Sequence, residues 1–123
     1  MAPKRRVLVV EDEEEFQALI RHALETAGYE VRIAGNGAQG LALFASQAPD
    51  LVVLDANLPD MNGFDVCRLM TSGAGPAVPV LLCTIRSTVT PAAEGLAAGA
   101  CDYIVKPFAI DDFQARVAAA LSR

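Results

Sequence analysis

The strongest constraint on the fold is an apolar run that stops at a carboxylate. Leu51, Val52, Val53 and Leu54 follow one another without a polar interruption, and Asp55 comes next. A strand with one wet face alternates apolar and polar residues. An unbroken run belongs instead to a strand buried on both faces, as in a parallel sheet covered by helices. Val7 to Val10 is a second such run, and it ends at Glu11 and Asp12. A carboxylate at the end of a dry strand is costly unless a cation or hydrogen bonds compensate it. The placement of Asp55 therefore needs a physical reason.

The segments between the runs have helical periodicity. Glu13, Glu14 and Glu15 suit the positive end of a helix, and Phe16, Leu19, Ile20, Ala23 and Leu24 then recur at helical spacing up to Gly28. Tyr29 to Ala34 predicts a second strand, and Gly35, Asn36 and Gly37 a turn. Ala38, Leu41, Ala42, Phe44 and Ala45 give a second helical face that ends before Pro49. Leu51 to Leu54 is the third strand. A loop with Pro59 and Gly63 leads to a third helix carrying Phe64, Val66, Cys67, Leu69 and Met70. An irregular connection follows, then a fourth strand, Val80 to Thr84, and a helix over Ala92 to Ala98 stopped by Gly99. Tyr103 to Val105 is the fifth strand, and Ile110, Phe113, Val117 and Leu121 stripe a last helix. Strand and helix alternating with short connections specify an α/β fold, a parallel sheet with helices on both faces. A length of 123 residues suits one domain, 1–123, with no visible repeat or linker.

Composition excludes several classes. Ten basic against fifteen acidic residues give a net charge of −5, so the domain lacks the basic stripe of a nucleic-acid interface. The basic cluster Lys4-Arg5-Arg6 reads as a solvated approach to the first strand, with a targeting signal as the alternative. No apolar run approaches the roughly 18 residues of a membrane span, and no secretory apolar region follows the first methionine. Cys67, Cys83 and Cys101 are an odd set without close pairs, which suits small core fillers in a reducing cytoplasm. His22 falls among Arg21 and Glu25 on a wet helical face and receives no chemical role.

In open parallel sheets, ligands bind beyond the carboxyl ends of the strands. Glu11 and Asp12, Asp55, Thr84 and Lys106 all stand at such ends. If strands one and three are neighbours, three carboxylates converge, and like charges that close call for a positive partner. Lys106 and a divalent cation are the two candidates. Magnesium prefers oxygen ligands, is held by one or two carboxylates, and completes its shell with water and phosphate. The set therefore suits phosphoryl chemistry, with Asp55 as nucleophile and Lys106 and Thr84 around the phosphoryl oxygens. Plainer roles stay open for each residue: acids that cap the next helix, a strand-end hydroxyl, and a lysine that snorkels to the surface.

Several stretches in order resemble the receiver domain of two-component response regulators, and the resemblance covers nearly the whole chain. They are VLVVEDEEEF, PDLVVLDANLPDMNGFDVC, VPVLLCT and GLAAGACDYIVKPF. The resemblance implies a flavodoxin-like (βα)5 doubly wound sandwich with a five-stranded parallel sheet in the order 2-1-3-4-5. It implies that Asp55 accepts a phosphoryl group, in the presence of Mg2+, from a histidine kinase, a histidine phosphotransfer protein or a small phosphodonor. Asp12, Asp55 and the backbone carbonyl of Asn57 would ligate magnesium, with Glu11 acting through water. Lys106 and Thr84 would contact the phosphoryl oxygens, and Tyr103 would be the switch aromatic. Lys106-Pro107 would be a cis bond. The face formed by the fourth helix, fifth strand and last helix would carry the signal to a downstream effector and could serve a homodimer.

Some residues depart from the family pattern. Glu11 replaces the commoner aspartate. Ile85 stands where a small residue is usual and is expected to crowd the way to Asp55; the alternative is that it only extends the strand's apolar packing. Asn57 and Arg86 stand where the family tunes dephosphorylation. Pro91, with Thr90 as cap, should make the fourth helix late and short. The expectation is a switch, not a turnover enzyme. The rivals are a receiver-like interaction module that takes no phosphate and an aspartyl-phosphate phosphatase. Phosphatases resembling haloacid dehalogenases carry a second aspartate two residues after the nucleophile, where this chain has Asn57. With no effector after Arg123, the sequence reads as a stand-alone or an excised receiver.

Overall fold

The two apolar runs lie side by side in the middle of a parallel sheet. The computed structural model describes residues 4–73, 77–85 and 98–122. In these, the elements follow as β1 (Arg6–Val10), α1 (Glu14–Thr26), β2 (Glu30–Ala34), α2 (Gly37–Gln47), β3 (Leu51–Asp55), α3 (Gly63–Thr71), β4 (Val80–Ile85), β5 (Asp102–Lys106) and α4 (Ile110–Leu121). The sheet order is β2-β1-β3-β4-β5, all pairs parallel, which is the expected 2-1-3-4-5 arrangement. Arg86, Thr90, Pro91 and all but the last residue of the helix expected over Ala92 to Ala98 lie outside the described residues.

Alternation along the strands divides the interior into two cores. Val7, Val9, Leu51, Val53, Leu81, Cys83 and Ile104 face α1 and α4, where Ile20, Leu24, Phe113 and Val117 meet them. Leu8, Val10, Val52, Leu54, Val80 and Leu82 face α2 and α3, where Val66, Cys67 and Met70 meet them. Fully burying one such aliphatic side chain contributes about 1.5–3 kcal/mol. That excess lets the sheet carry polar residues at one edge. Burial pushes the Cys67 thiol up to about 11, so it behaves as an apolar filler.

Helix starts differ slightly from the sequence reading, for one reason. Asn36 and Asn62 act as N-caps, their side chains accepting from the amides of Gln39 and Phe64, both at 2.8 Å. The helices therefore begin at Gly37 and Gly63 rather than at the first apolar residue. The second strand begins at Glu30, because the Tyr29 amide still bonds the Leu24 carbonyl and belongs to the closing turn of α1. In that turn Gly28 takes φ +94°, a left-handed value that favours glycine. β4 runs on to Ile85, and β5 spans Asp102 to Lys106, one residue longer at each end than the apolar pattern indicated.

Gly63 fixes the loop that follows β3. Its amide bonds the Ala56 carbonyl at 3.0 Å, and a Cβ built there would stand 2.4 Å from the Asp55 carbonyl oxygen and 2.5 Å from the Ala56 Cα. Both are backbone atoms that no rotamer change can move. Gly63→Ala should cost about 1–3 kcal/mol or more, as overpacking does, and shift the loop beside Asp55. Urea unfolding of the two proteins checks this, and equal midpoints would contradict it.

Candidate functional site

The carboxyl ends of β1, β3 and β5 bring three ionisable side chains together out of water. Glu11 follows β1, Asp55 ends β3 and Lys106 ends β5, and all three are buried. Strand parity explains the meeting. Glu11 continues the series of Val7 and Val9, Asp55 that of Leu51 and Val53, and Lys106 that of Ile104. All three point to the side covered by α1 and α4.

Glu11 is held at several atoms. Its amide donates to the Ala34 carbonyl at 3.0 Å, and its carbonyl accepts from Gln17 Nε2 at 2.6 Å. Its Oε2 accepts from the Glu13 amide at 3.0 Å, and its Oε1 from Lys106 Nζ at 2.5 Å. Asp55 Oδ1 accepts from the Asn57 amide at 2.9 Å, and Oδ2 lies 3.4 Å from Lys106 Nζ. The Lys106 ammonium also lies 4.2 Å from the centre of the Phe16 ring. Asp12 is exposed, yet carboxylate oxygens of Glu11, Asp12 and Asp55 all fall within 4.8 Å of one another. Three hard oxygen donors at such spacing fit a divalent cation of the magnesium kind.

One ammonium cannot neutralise this set. Burial pushes the Glu11 carboxyl up to about 7; the bonds from Lys106 and the Glu13 amide oppose the rise, and the charge of Asp55 adds to it. Burial also works against the charged form of Lys106. The bond to Glu11 and the charges of Asp55 and Glu11 outweigh it, so the ammonium is held above its ordinary value.

The remaining sequence candidates take distinct places. Thr84 is buried at the end of β4, and its Oγ1 donates to the Ile85 carbonyl at 3.1 Å. Thr84 pairs in register with Val105, and Ile85 with Lys106. The Ile85 side chain is 57% exposed, so it does not extend the core. Tyr103 is half-buried against the core on the α2 and α3 side. Asn57 is exposed and forms a bridge with Asn62 that closes the loop. The Lys106-Pro107 peptide is cis. Arg86 lies outside the described residues.

Three residues of the site were not identified from sequence. Phe16 looked like one more member of a helical stripe. Gln17 has no signal at all, since its target is a backbone carbonyl. Asp60 accepts from the amides of Gly37 and Ala38 at 2.7 and 3.0 Å, which ties the loop after β3 to the N-terminus of α2. Those bonds hold its carboxyl below the ordinary range. Its partners are 22 and 23 residues away, beyond any local pattern.

Comparison with known proteins agrees with this geometry. The family model described as the response regulator receiver domain matches residues 7–118. The response regulator MprA of Mycolicibacterium vanbaalenii is 42% identical over 118 residues, covering 96% of this chain and 51% of that protein. The chain thus spans about half the length of the curated relatives it matches. A CheY-like receiver domain protein from Methanospirillum hungatei superposes with a TM-score of 0.90 at 28% identity, over 98% of this chain and 95% of the other. The Vibrio cholerae chemotaxis protein CheY4 gives 0.89 at 28% identity, over 96% and 99%.

The Glu11 shift has a signed consequence for stability. A carboxyl raised from 4.5 to about 7 binds more protons folded than unfolded between those values. Its contribution is therefore fully present below about pH 4.5 and is lost as pH rises to about 7. Urea titrations in a chelating buffer should show this decline for the wild type and a flatter profile for Glu11→Gln. Matching profiles would rule Glu11 out as its source.

Proposed function

The chain belongs to the response regulator receiver domain family, and on that premise we propose that it is a phosphorylatable switch whose acceptor is Asp55. The observation that carries the reading is the buried Asp55 carboxylate at the carboxyl edge of the sheet, sharing Lys106 with Glu11 and lying within ligand reach of Asp12. An Asp55 carboxylate oxygen attacks the phosphorus of the donor. The bond from phosphorus to the leaving group breaks in line, and the leaving group keeps the electron pair. Acetate leaves from acetyl phosphate. A phosphohistidine releases its imidazole, which takes a proton from solvent.

The product carries roughly one more negative charge than the carboxylate, with three strong acceptor oxygens. Lys106 turns from Glu11 toward that charge. Thr84 gives up its short-range bond to the Ile85 carbonyl and donates to a phosphoryl oxygen, and Tyr103 follows into the space beside it. Asp12 and Asp55, with the Asn57 carbonyl, would hold Mg2+, and Glu11 would act through water. The ion, when bound, supplies the positive charge that a phosphoryl group needs among these acids.

The domain, residues 1–123, takes its phosphoryl group from a sensor histidine kinase or a histidine phosphotransfer protein in the cytoplasm. It signals through the face that includes β5 and α4 to a downstream effector, rather than turning over a substrate. Among the described residues no helix is long and apolar enough to cross a membrane.

Incubation with acetyl phosphate and magnesium should give a hydroxylamine-labile adduct by mass spectrometry, and Asp55→Asn should abolish it. An adduct that persists in that variant removes Asp55 from the acceptor role. Ile85, exposed and paired in register with Lys106, slows access to the acceptor in this scheme. Ile85→Ala should label faster and lose its phosphoryl group sooner. Its stability should stay within about 0.5 kcal/mol of wild type, as at other surface positions. Unchanged rates in both directions would discard the gate.

A further inference from the structure

The Lys106 ammonium has an aromatic partner that the carboxylates do not explain. Its Nζ lies 4.2 Å from the centre of the Phe16 ring, within cation–π range. Phe16 is half-buried on α1, on the side of the helix that covers the site. Its ring is braced by Phe108, with centroids 6.3 Å apart and planes tilted by 46°. Phe108 in turn stacks on Phe113 at 5.0 Å and 16°, and Phe113 is fully buried in the core. The ring under the ammonium is thus anchored to α4 through Phe108, which itself follows Lys106 by two residues.

The chemistry of the contact matters more than its volume. A carboxylate fixes an ammonium along the line of a hydrogen bond. The negative face of an aromatic ring attracts it over an area, without choosing one direction. Lys106 lies nearer Glu11, at 2.5 Å, than Asp55, at 3.4 Å. To meet a phosphoryl group on Asp55 it has to swing between them. A leucine would fill the space beside Lys106 but offer no attraction to the charge during that swing.

We propose that Phe16 is a positioning residue for Lys106, its ring face holding the ammonium at the acceptor while leaving it free to move from Glu11 to Asp55. The proposal rests on the receiver reading above. The transfer it serves is the same: an Asp55 oxygen bonds to phosphorus as the bond to the departing acetate breaks, and acetate keeps the electron pair.

The test uses the full chain and four variants: Phe16→Leu, Phe16→Met, Phe16→Tyr and Phe16→Trp. In wild type and in the Tyr and Trp variants, the Lys106 ε-methylene protons should be shifted upfield by the ring in 1H–13C spectra. In Leu and Met that shift should vanish. Labelling by acetyl phosphate with magnesium should slow about 3- to 30-fold in Leu and Met, the span expected for cation–π contacts from exposed to desolvated. Tyr and Trp should restore it, and magnesium affinity should stay at the wild-type value throughout. Met keeps a flexible apolar filler in place should Leu fail to fold. An unshifted wild-type Lys106 signal overturns the proposal. So does a Leu or Met variant that labels at the wild-type rate, or a folded Tyr variant as slow as Leu. A wild type that takes no phosphoryl group at all overturns the receiver reading and the transfer role with it. A labelled wild type with ring-insensitive kinetics overturns the role of Phe16 alone.

Discussion

A single ammonium stands between two buried carboxylates at the carboxyl edge of the sheet. Lys106 Nζ is 2.5 Å from Glu11 Oε1 and 3.4 Å from Asp55 Oδ2, and all three side chains are at most 3% exposed. The three residues come from β5, β1 and β3, so the contact exists only if those strands are parallel and end together. Removing one partner of a buried ion pair typically costs about 3–5 kcal/mol, because the other is left uncompensated. The site and the strand order are therefore one constraint. The apolar runs of β1 and β3 secure the order, and the order places the charges.

The same cluster is unfinished as an electrostatic arrangement. Three carboxylates face one ammonium, and a phosphoryl donor brings further negative charge. A site of this sign would repel the phosphoryl donor of the proposed reaction unless a divalent cation joined Lys106. In the proposed reaction the excess of acid is thus the source of metal dependence. Burial, with the charge of Asp55 adding to it, leaves Glu11 prone to take a proton.

Sequence reading reached the strands because two-sided burial leaves an unmistakable apolar run, as in Leu51 to Leu54. It reached Glu11, Asp12, Asp55, Thr84 and Lys106 because strand ends in a parallel sheet share an edge. Parity could have gone further: the two-residue alternation puts Glu11 with Asp55 and Lys106 on one side of the sheet. The N-cap Asn36 reads from sequence as a turn residue, and the N-cap Asn62 carries no separate signal within its loop, since a capping side chain and a turn side chain look alike in sequence. Phe16 was legible as a buried helical position but not as a partner of Lys106, which is 90 residues away and on another element. Asp60 was invisible for a similar reason, its bonds reaching a helix that precedes it by more than twenty residues.

The loop after β3 is fastened at both ends. Asp55 holds the Asn57 amide, Gly63 holds the Ala56 carbonyl, and Asp60 clasps the first amides of α2. Between these points Leu58 packs against the core on the α2 and α3 side, and the number of residues is fixed by the bonds at either end. One added residue lengthens an extended chain by about 3.3–3.6 Å, more than a hydrogen bond spans. An insertion between Asp55 and Gly63 would therefore unfasten at least one of these bonds, as would loss of the Asp60 side chain.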